Sequence, residues 1–266
     1  MRDTFNWQAG VEVGQAVPPV AQFAEQVMSV MAQRMRGKCA QGRYPVPRAE
    51  LIQGLAQAAL ADDAVLAAFR EGMREQKITD SLMADVYIPA AACWLGEAWE
   101  EDIVTFAEVS IATCRFQRIL RELGKVWAAD IFAPQAVGAV LVVVPEGEQH
   151  TLGALVAMGK LRRMGISVCL RMGLLVSDLP VLMQGRAFDG VLISLSRQEM
   201  FPAVKSIVKA LRRAGQRDMS IVIGGAIVCN SGPLALDMTG ADAAMNNINE
   251  AVQLFGLSDV AKLPVL

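Results

Sequence analysis

Histidine is almost missing from this chain: His150 is the single one among 266 residues. One chain therefore cannot place imidazole on both axial positions of a metal. Cysteine offers no framework either, because Cys39, Cys93, Cys114, Cys169 and Cys229 are odd in number, scattered and nowhere spaced as CxxC. Reduced, mostly buried thiols are expected. No apolar run approaches the roughly 20 residues that span a bilayer. The start, Met1-Arg2-Asp3-Thr4-Phe5, lacks a secretory pattern, so a cytoplasmic location is expected. A net charge of -2 leaves no electrostatic footprint for holding DNA unaided. There is no GxGxxG after the first strand pattern, no nucleophile elbow and no P-loop. With no acid-base pair or nucleophile beside the site discussed below, independent catalysis is not expected.

What is present reads as a compact protein of one or two domains, 53% apolar and 20% charged. Residues 1–47 form an N-terminal extension, with one helical stripe over about 18–36 and a Gly/Pro-rich linker at 37–47. The bases Arg34, Arg36, Lys38, Arg43 and Arg48 are either a partner contact or a solvated face. Helical periodicity then predicts a bundle over 48–130, with helices at about 48–61, 63–76, 79–99 and 105–128. Thr105 and Glu108 form a capping box for the last, whose apolar face runs Phe106, Val109, Phe116, Leu120, Leu123 and Trp127. Trp94 and Trp99 are either core indoles or a flat lid over a planar ligand.

From 136 to 266 the rhythm changes to strand and helix in alternation. Strands are expected at about 138–144, 166–170, 189–194, 219–223 and 241–245, with helices at about 151–164, 177–185, 199–214, 232–238 and 247–256. The alternation implies a doubly wound, five-stranded parallel sheet of flavodoxin-like (Rossmann-type) order 2-1-3-4-5. His150 lies just past the first strand, at the edge where such sheets bind ligands. Glu148, two residues earlier, can accept the imidazole N–H that a metal-bound histidine does not use. Gly153 opens the next helix without a side chain. Taken alone, the six residues also fit an ordinary loop histidine. Ser194-Leu195-Ser196 and Gly224-Gly225, at the ends of the third and fourth strands, converge on the same edge.

Together, E-x-H-x-x-G at 148–153, S-x-S at 194–196 and Gly224-Gly225 resemble the D-x-H-x-x-G, S-x-L and G-G signatures of cobalamin-binding domains. The bundle with Gly96-x-x-Trp99 resembles the helical cap that precedes them, and the resemblance spans roughly residues 48–260. Ala84-Asp85-Val86-Tyr87-Ile88-Pro89, Phe106-Ala107-Glu108-Val109 and Gly147–Gly153 are similar to the AerR/PpaA-type regulators of photosynthesis genes in purple bacteria. The resemblance implies a light-responsive cobalamin protein, an antirepressor acting on a CrtJ/PpsR-type repressor. It implies His150 as the lower cobalt ligand, oriented by Glu148. Gly153, Ser194 and Ser196 would line the groove for the nucleotide tail, bordered by Gly224 and Gly225, with Trp99 over the upper face, and Thr151 and Leu152 would belong to the cofactor-binding set. Two positions depart from the wider pattern: Glu148 replaces Asp, and Val109 stands where the DNA-binding photoreceptor branch has a Glu-His pair. A corrinoid methyl carrier and a haem-binding relative of the same fold remain as alternative readings.

Overall fold

Val140 to Val144 are all buried, because they form the body of β1 (Ala139–Pro145), which has a strand on each side and helices on both faces. Such a strand shows water neither face, and a continuous β-branched run is the outcome. In the computed structural model, which describes residues 47–130, 137–214 and 219–257, β1 pairs in parallel with β2 (Ser167–Leu174) and β3 (Gly190–Ser194). β4 (Ser220–Gly224) and β5 (Ala243–Ala244) complete the expected order, β2-β1-β3-β4-β5. The helix expected over 18–36, Cys39 and nearly all of the 37–47 linker lie outside the described residues. The described residues from Glu50 onward belong to one compact unit.

Strand side chains alternate between two cores. Leu141, Val143, Val191, Ile193, Ile221 and Ile223 pack with three helices: α6 (Leu179–Met183), α7 (Phe201–Arg213) and α8 (Ile227–Thr239). Val140, Val142, Val144, Leu192 and Val222 pack on the opposite face with α5 (Leu152–Arg163) and α9 (Ile248–Leu254). β5 is shorter than expected, although Asp242 and Met245 still donate backbone hydrogen bonds to Ile221 and Ile223 beside it. α8 starts at Ile227 instead of about 232. It follows directly from the Gly224-Gly225 turn and accommodates Pro233 through a kink at Ser231 (φ -146°, ψ 27°).

Before the sheet come α1 (Ala49–Ala61), α2 (Asp63–Glu75), α3 (Ile88–Glu100) and α4 (Phe106–Asp130). The expected helix at 79–99 contains a π-helical turn, Met83–Tyr87, between a short α-turn at Asp80–Leu82 and α3. Pro89 explains it: a proline has no N–H for the carbonyl four residues back and its ring crowds that carbonyl, so the preceding turn widens. Ile88 N–H accordingly bonds Met83 O, five residues back. α4 begins with the expected box, Thr105 N–H donating to Glu108 Oε2 at 2.8 Å and Glu108 N–H to Thr105 Oγ1 at 3.3 Å. Its expected apolar face needs correction at the first residue. Phe116, Leu120 and Leu123 are buried, but Phe106 is 69% exposed. The cysteines differ from expectation too, for Cys93, Cys114 and Cys229 are exposed and Cys169 half-buried. No described helix is long and apolar enough to cross a membrane.

The π-turn presents Asp85 to Arg163 at the end of α5, in an ion pair whose side chains are 4% and 6% exposed. The Arg163 guanidinium carbon also lies over Trp127, 3.9 Å from the ring centroid. This pair joins the helices to the sheet, so removing one partner strands a buried charge. Asp85→Ala is expected to cost about 3–5 kcal/mol in denaturant unfolding, with Asp85→Ala/Arg163→Met recovering much of it. An additive double-mutant cycle would contradict this.

Candidate functional site

β1 ends at Pro145, and the next five residues leave the sheet as a tight turn. Glu148 N–H donates back to Pro145 O at 3.1 Å, and Gly147 takes φ +83°, a left-handed conformation that favours glycine. The turn folds the Glu148 side chain inward, leaving it 0% exposed. Burying a carboxylate is costly unless every lone pair finds a donor. Here Oε1 accepts from the His150 backbone N–H and lies 2.8 Å from His150 Nδ1; Oε2 accepts from Ser196 N–H at 2.9 Å. Ser196 Oγ sits 2.8 and 2.7 Å from the two carboxylate oxygens and 2.8 Å from Nδ1. Burial pushes the Glu148 carboxyl up, but the bonds from His150 and Ser196 outweigh it and hold it at about 2.

An ionised carboxylate on Nδ1 fixes the tautomer: Nδ1 carries the proton and Nε2 the lone pair. The ring itself is 66% exposed. Glu148, the buried end of the network, thus aims His150, the open end. No group of three or more His, Cys, Asp or Glu residues poised to hold a metal occurs among the described residues. What this edge offers a metal is the Nε2 lone pair of the exposed imidazole.

The remaining expected residues fall around this pair. Thr151 precedes α5, and its hydroxyl takes a hydrogen bond from Gln117 of α4 at 3.0 Å. Leu152 and Gly153 open α5; a Cβ on Gly153 would stand 3.7 Å from Ser194 Oγ, an ordinary contact, so the start of α5 lies close beside the end of β3. Gly225 has a structural reason of its own. It lies at φ +100°, and a Cβ there would come 2.4 Å from Leu195 O. Gly224 is less constrained, with 3.3 Å to Met245 O. Trp99 is 47% exposed and tilted against Phe106 at a centroid distance of 5.9 Å, whereas Trp94 is buried. Core indole and surface indole are thus two different residues, and Trp99 is not part of the hydrogen-bonded network around Glu148.

Three contributors were not visible in the sequence. Gln117 ties the helical part to the His150 loop, Arg197 donates to Gly147 O at 2.9 Å, and Asn246 brackets Gly225, accepting from its N–H at 2.7 Å and donating to its O at 3.2 Å. Asn246 follows β5 and Arg197 follows the S-x-S motif, so position at the carboxyl edge was the available signal. Gln117, a polar residue beside the buried stripe of α4, offered only its half-buried place.

Because the folded-state carboxyl sits near 2 and the ordinary value is 4.5, the unfolded chain binds more protons in acid. The Glu148 network contributes stability that is fully present above the ordinary value and is lost as pH falls towards 2. The loss attributable to this residue is on the order of 3 kcal/mol. Chemical denaturation of wild type and Glu148→Gln against pH should diverge by that order between the two limits, and parallel curves would refute the assignment.

No family model matches the chain. It is 39% identical over 175 residues to the "Uncharacterized 20.5 kDa protein in bchF-crtJ intergenic region" of Rhodobacter capsulatus, across 66% of this chain and 91% of that protein. Among solved structures, the monomethylamine corrinoid protein of Methanosarcina barkeri superposes with TM-score 0.60 at 17% identity, over 80% of this chain and 97% of that one. A novel cobalamin-binding protein from Desulfitobacterium hafniense DCB-2 gives 0.41 at 18% identity, over 76% and 96%. The first structural likeness establishes the fold, helices followed by a five-stranded parallel sheet. At 39% identity across nearly the whole of its relative, the chain belongs to the family of the Rhodobacter capsulatus bchF-crtJ intergenic-region protein.

Proposed function

We propose that this protein binds cobalamin with His150 as the lower cobalt ligand and regulates transcription in response to light, acting through a DNA-binding repressor of the CrtJ/PpsR type. The observation that carries the reading is the one-ended imidazole. Its Nδ1 is fixed to a buried, ionised Glu148 while the ring stands exposed at the switch point between β1 and β3. The residues fit a corrinoid: one ligating nitrogen is supplied, and Gly153 leaves the start of α5 without a side chain beside Ser194, where the displaced nucleotide tail would lie. When bound, the corrinoid supplies a cobalt ion already held by its ring and an upper substituent that light can remove. The fold shared with a corrinoid protein supports the cofactor, and the relative's place beside crtJ, with the AerR/PpaA-like motifs, supports the regulatory role.

The chain's own residues do the rest. Glu148 and Ser196 hold the imidazole in the ligating tautomer. Gln117 and the Asp85–Arg163 pair couple the helices to the loop and to α5, so a change at the site has a route into their packing. A ligand shifts such packing only through different affinities for two arrangements. An upper group against the exposed Trp99 and Phe106 would supply that difference. The likeness to a methylamine-system corrinoid protein favours a methyl carrier as second reading, and haem would meet the same imidazole.

Absorption titration with hydroxocobalamin, with haemin as the competing probe, separates these. Wild type should take up the corrinoid, His150→Ala should lose that uptake, and Glu148→Gln should bind about 10–100-fold more weakly. Unchanged affinity in His150→Ala would refute the ligation. For the regulatory reading, the measurement is anisotropy of a labelled repressor against the apo and cobalamin-loaded protein, in darkness and after illumination. Affinity should depend on both loading and light; indifference to both, or tight sequence-specific DNA binding by this chain alone, would contradict the scheme.

A further inference from the structure

On the sheet face away from α5, α7 buries Phe201, Val204, Ile207, Val208 and Leu211 and turns Lys205, Ser206, Lys209 and Arg213 outward. Lys205, Lys209 and Arg213 recur at every fourth residue, so they stand in a single row along the exposed face. Like charges at that spacing repel and lower helix stability. Among the described residues the three make no ion pair that would offset this. Their neighbour Arg212 does the opposite, bridging Asp242 and donating to Met219 O, each at 2.5 Å. α8 packs beside α7 in the same core and exposes Leu234 and Met238, one turn apart, with Asp237 between them. A row of cations on α7 and an apolar pair on α8 thus stand on neighbouring helices of the same sheet face.

We propose that this α7–α8 surface docks an acidic segment of a partner protein that also carries apolar side chains. Carboxylates of the segment meet Lys205, Lys209 and Arg213, and its apolar side chains cover Leu234 and Met238. A nucleic-acid backbone fits less well. Phosphates would answer the cations but leave the apolar pair uncovered, and three cations on a chain of net charge -2 supply little of the neutralisation that duplex binding draws on. The inference rests on the reading that the protein works through a repressor, and it gives that encounter a surface distinct from the cofactor edge.

The test uses the full-length, cobalamin-loaded protein and a purified CrtJ/PpsR-type repressor, followed by anisotropy over a range of salt. Lys205→Glu/Lys209→Glu/Arg213→Glu should bind about tenfold more weakly or worse, and lose most of the salt dependence. Leu234→Ser/Met238→Ser should also weaken binding, and both variants should keep the wild-type corrinoid spectrum, which reports an intact fold. The neutral set Lys205→Gln/Lys209→Gln/Arg213→Gln should fall between wild type and the charge reversal. Repressor affinity and salt dependence unchanged in the charge reversal would overturn the surface while leaving the regulatory reading in place. Loss of duplex-DNA binding with repressor binding intact would overturn it in favour of a phosphate partner. A wild-type protein that takes up cobalamin yet does not bind the repressor would overturn the regulatory reading, and this surface with it.

Discussion

The buried carboxylate of Glu148 is the constraint on which the candidate site depends. A charge with no exposed surface survives in a folded protein only if it is fully hydrogen-bonded, and this one draws its donors from two separate places: the loop after β1 and the loop after β3. Satisfying it welds those loops together across the switch point. His150 is aimed as a consequence. The turn at Gly147, the Arg197 bond to Gly147 O and the Ser196 hydroxyl all serve the same end, a side chain buried in an otherwise polar and open edge.

The extra methylene of Glu148, relative to the Asp of the wider cobalamin-binding pattern, is absorbed without loss of contact. The carboxylate still reaches Nδ1 at 2.8 Å while both oxygens remain bonded to Ser196. One carboxylate thus serves both the histidine and the second loop. The substitution therefore keeps the orienting bond.

Much of the architecture was legible because it rests on periodicity. The fully apolar β1, alternation of strand and helix patterns and the Thr105–Glu108 box each express a local rule, and strand order followed from the topology such alternation allows. What the sequence hid depends on tertiary partners. The π-turn needs the Pro89 ring set against the carbonyl four residues back, and the kink in α8 needs a helix that starts five residues earlier than Pro233 alone implies. Phe106 and the exposed cysteines show the same limit: periodicity says which residues share a face, not whether another element covers it. At the site, Glu148, His150, Gly153 and the Ser and Gly pairs were readable because their spacing is local. Gln117 and Asn246 reach the site from distant segments, and no local pattern announces that.

The most direct test of the account is electron paramagnetic resonance of the protein loaded with cobalamin in its paramagnetic cobalt(II) form, prepared with histidine labelled with nitrogen-15. His150 is the single histidine in the sequence, so the label marks one residue. Ligation by His150 predicts that the nitrogen coupling on each cobalt line changes from a triplet to a doublet on labelling. A triplet that persists in the labelled protein would mean that the nitrogen on cobalt belongs to the corrinoid's own base, and would contradict the central claim.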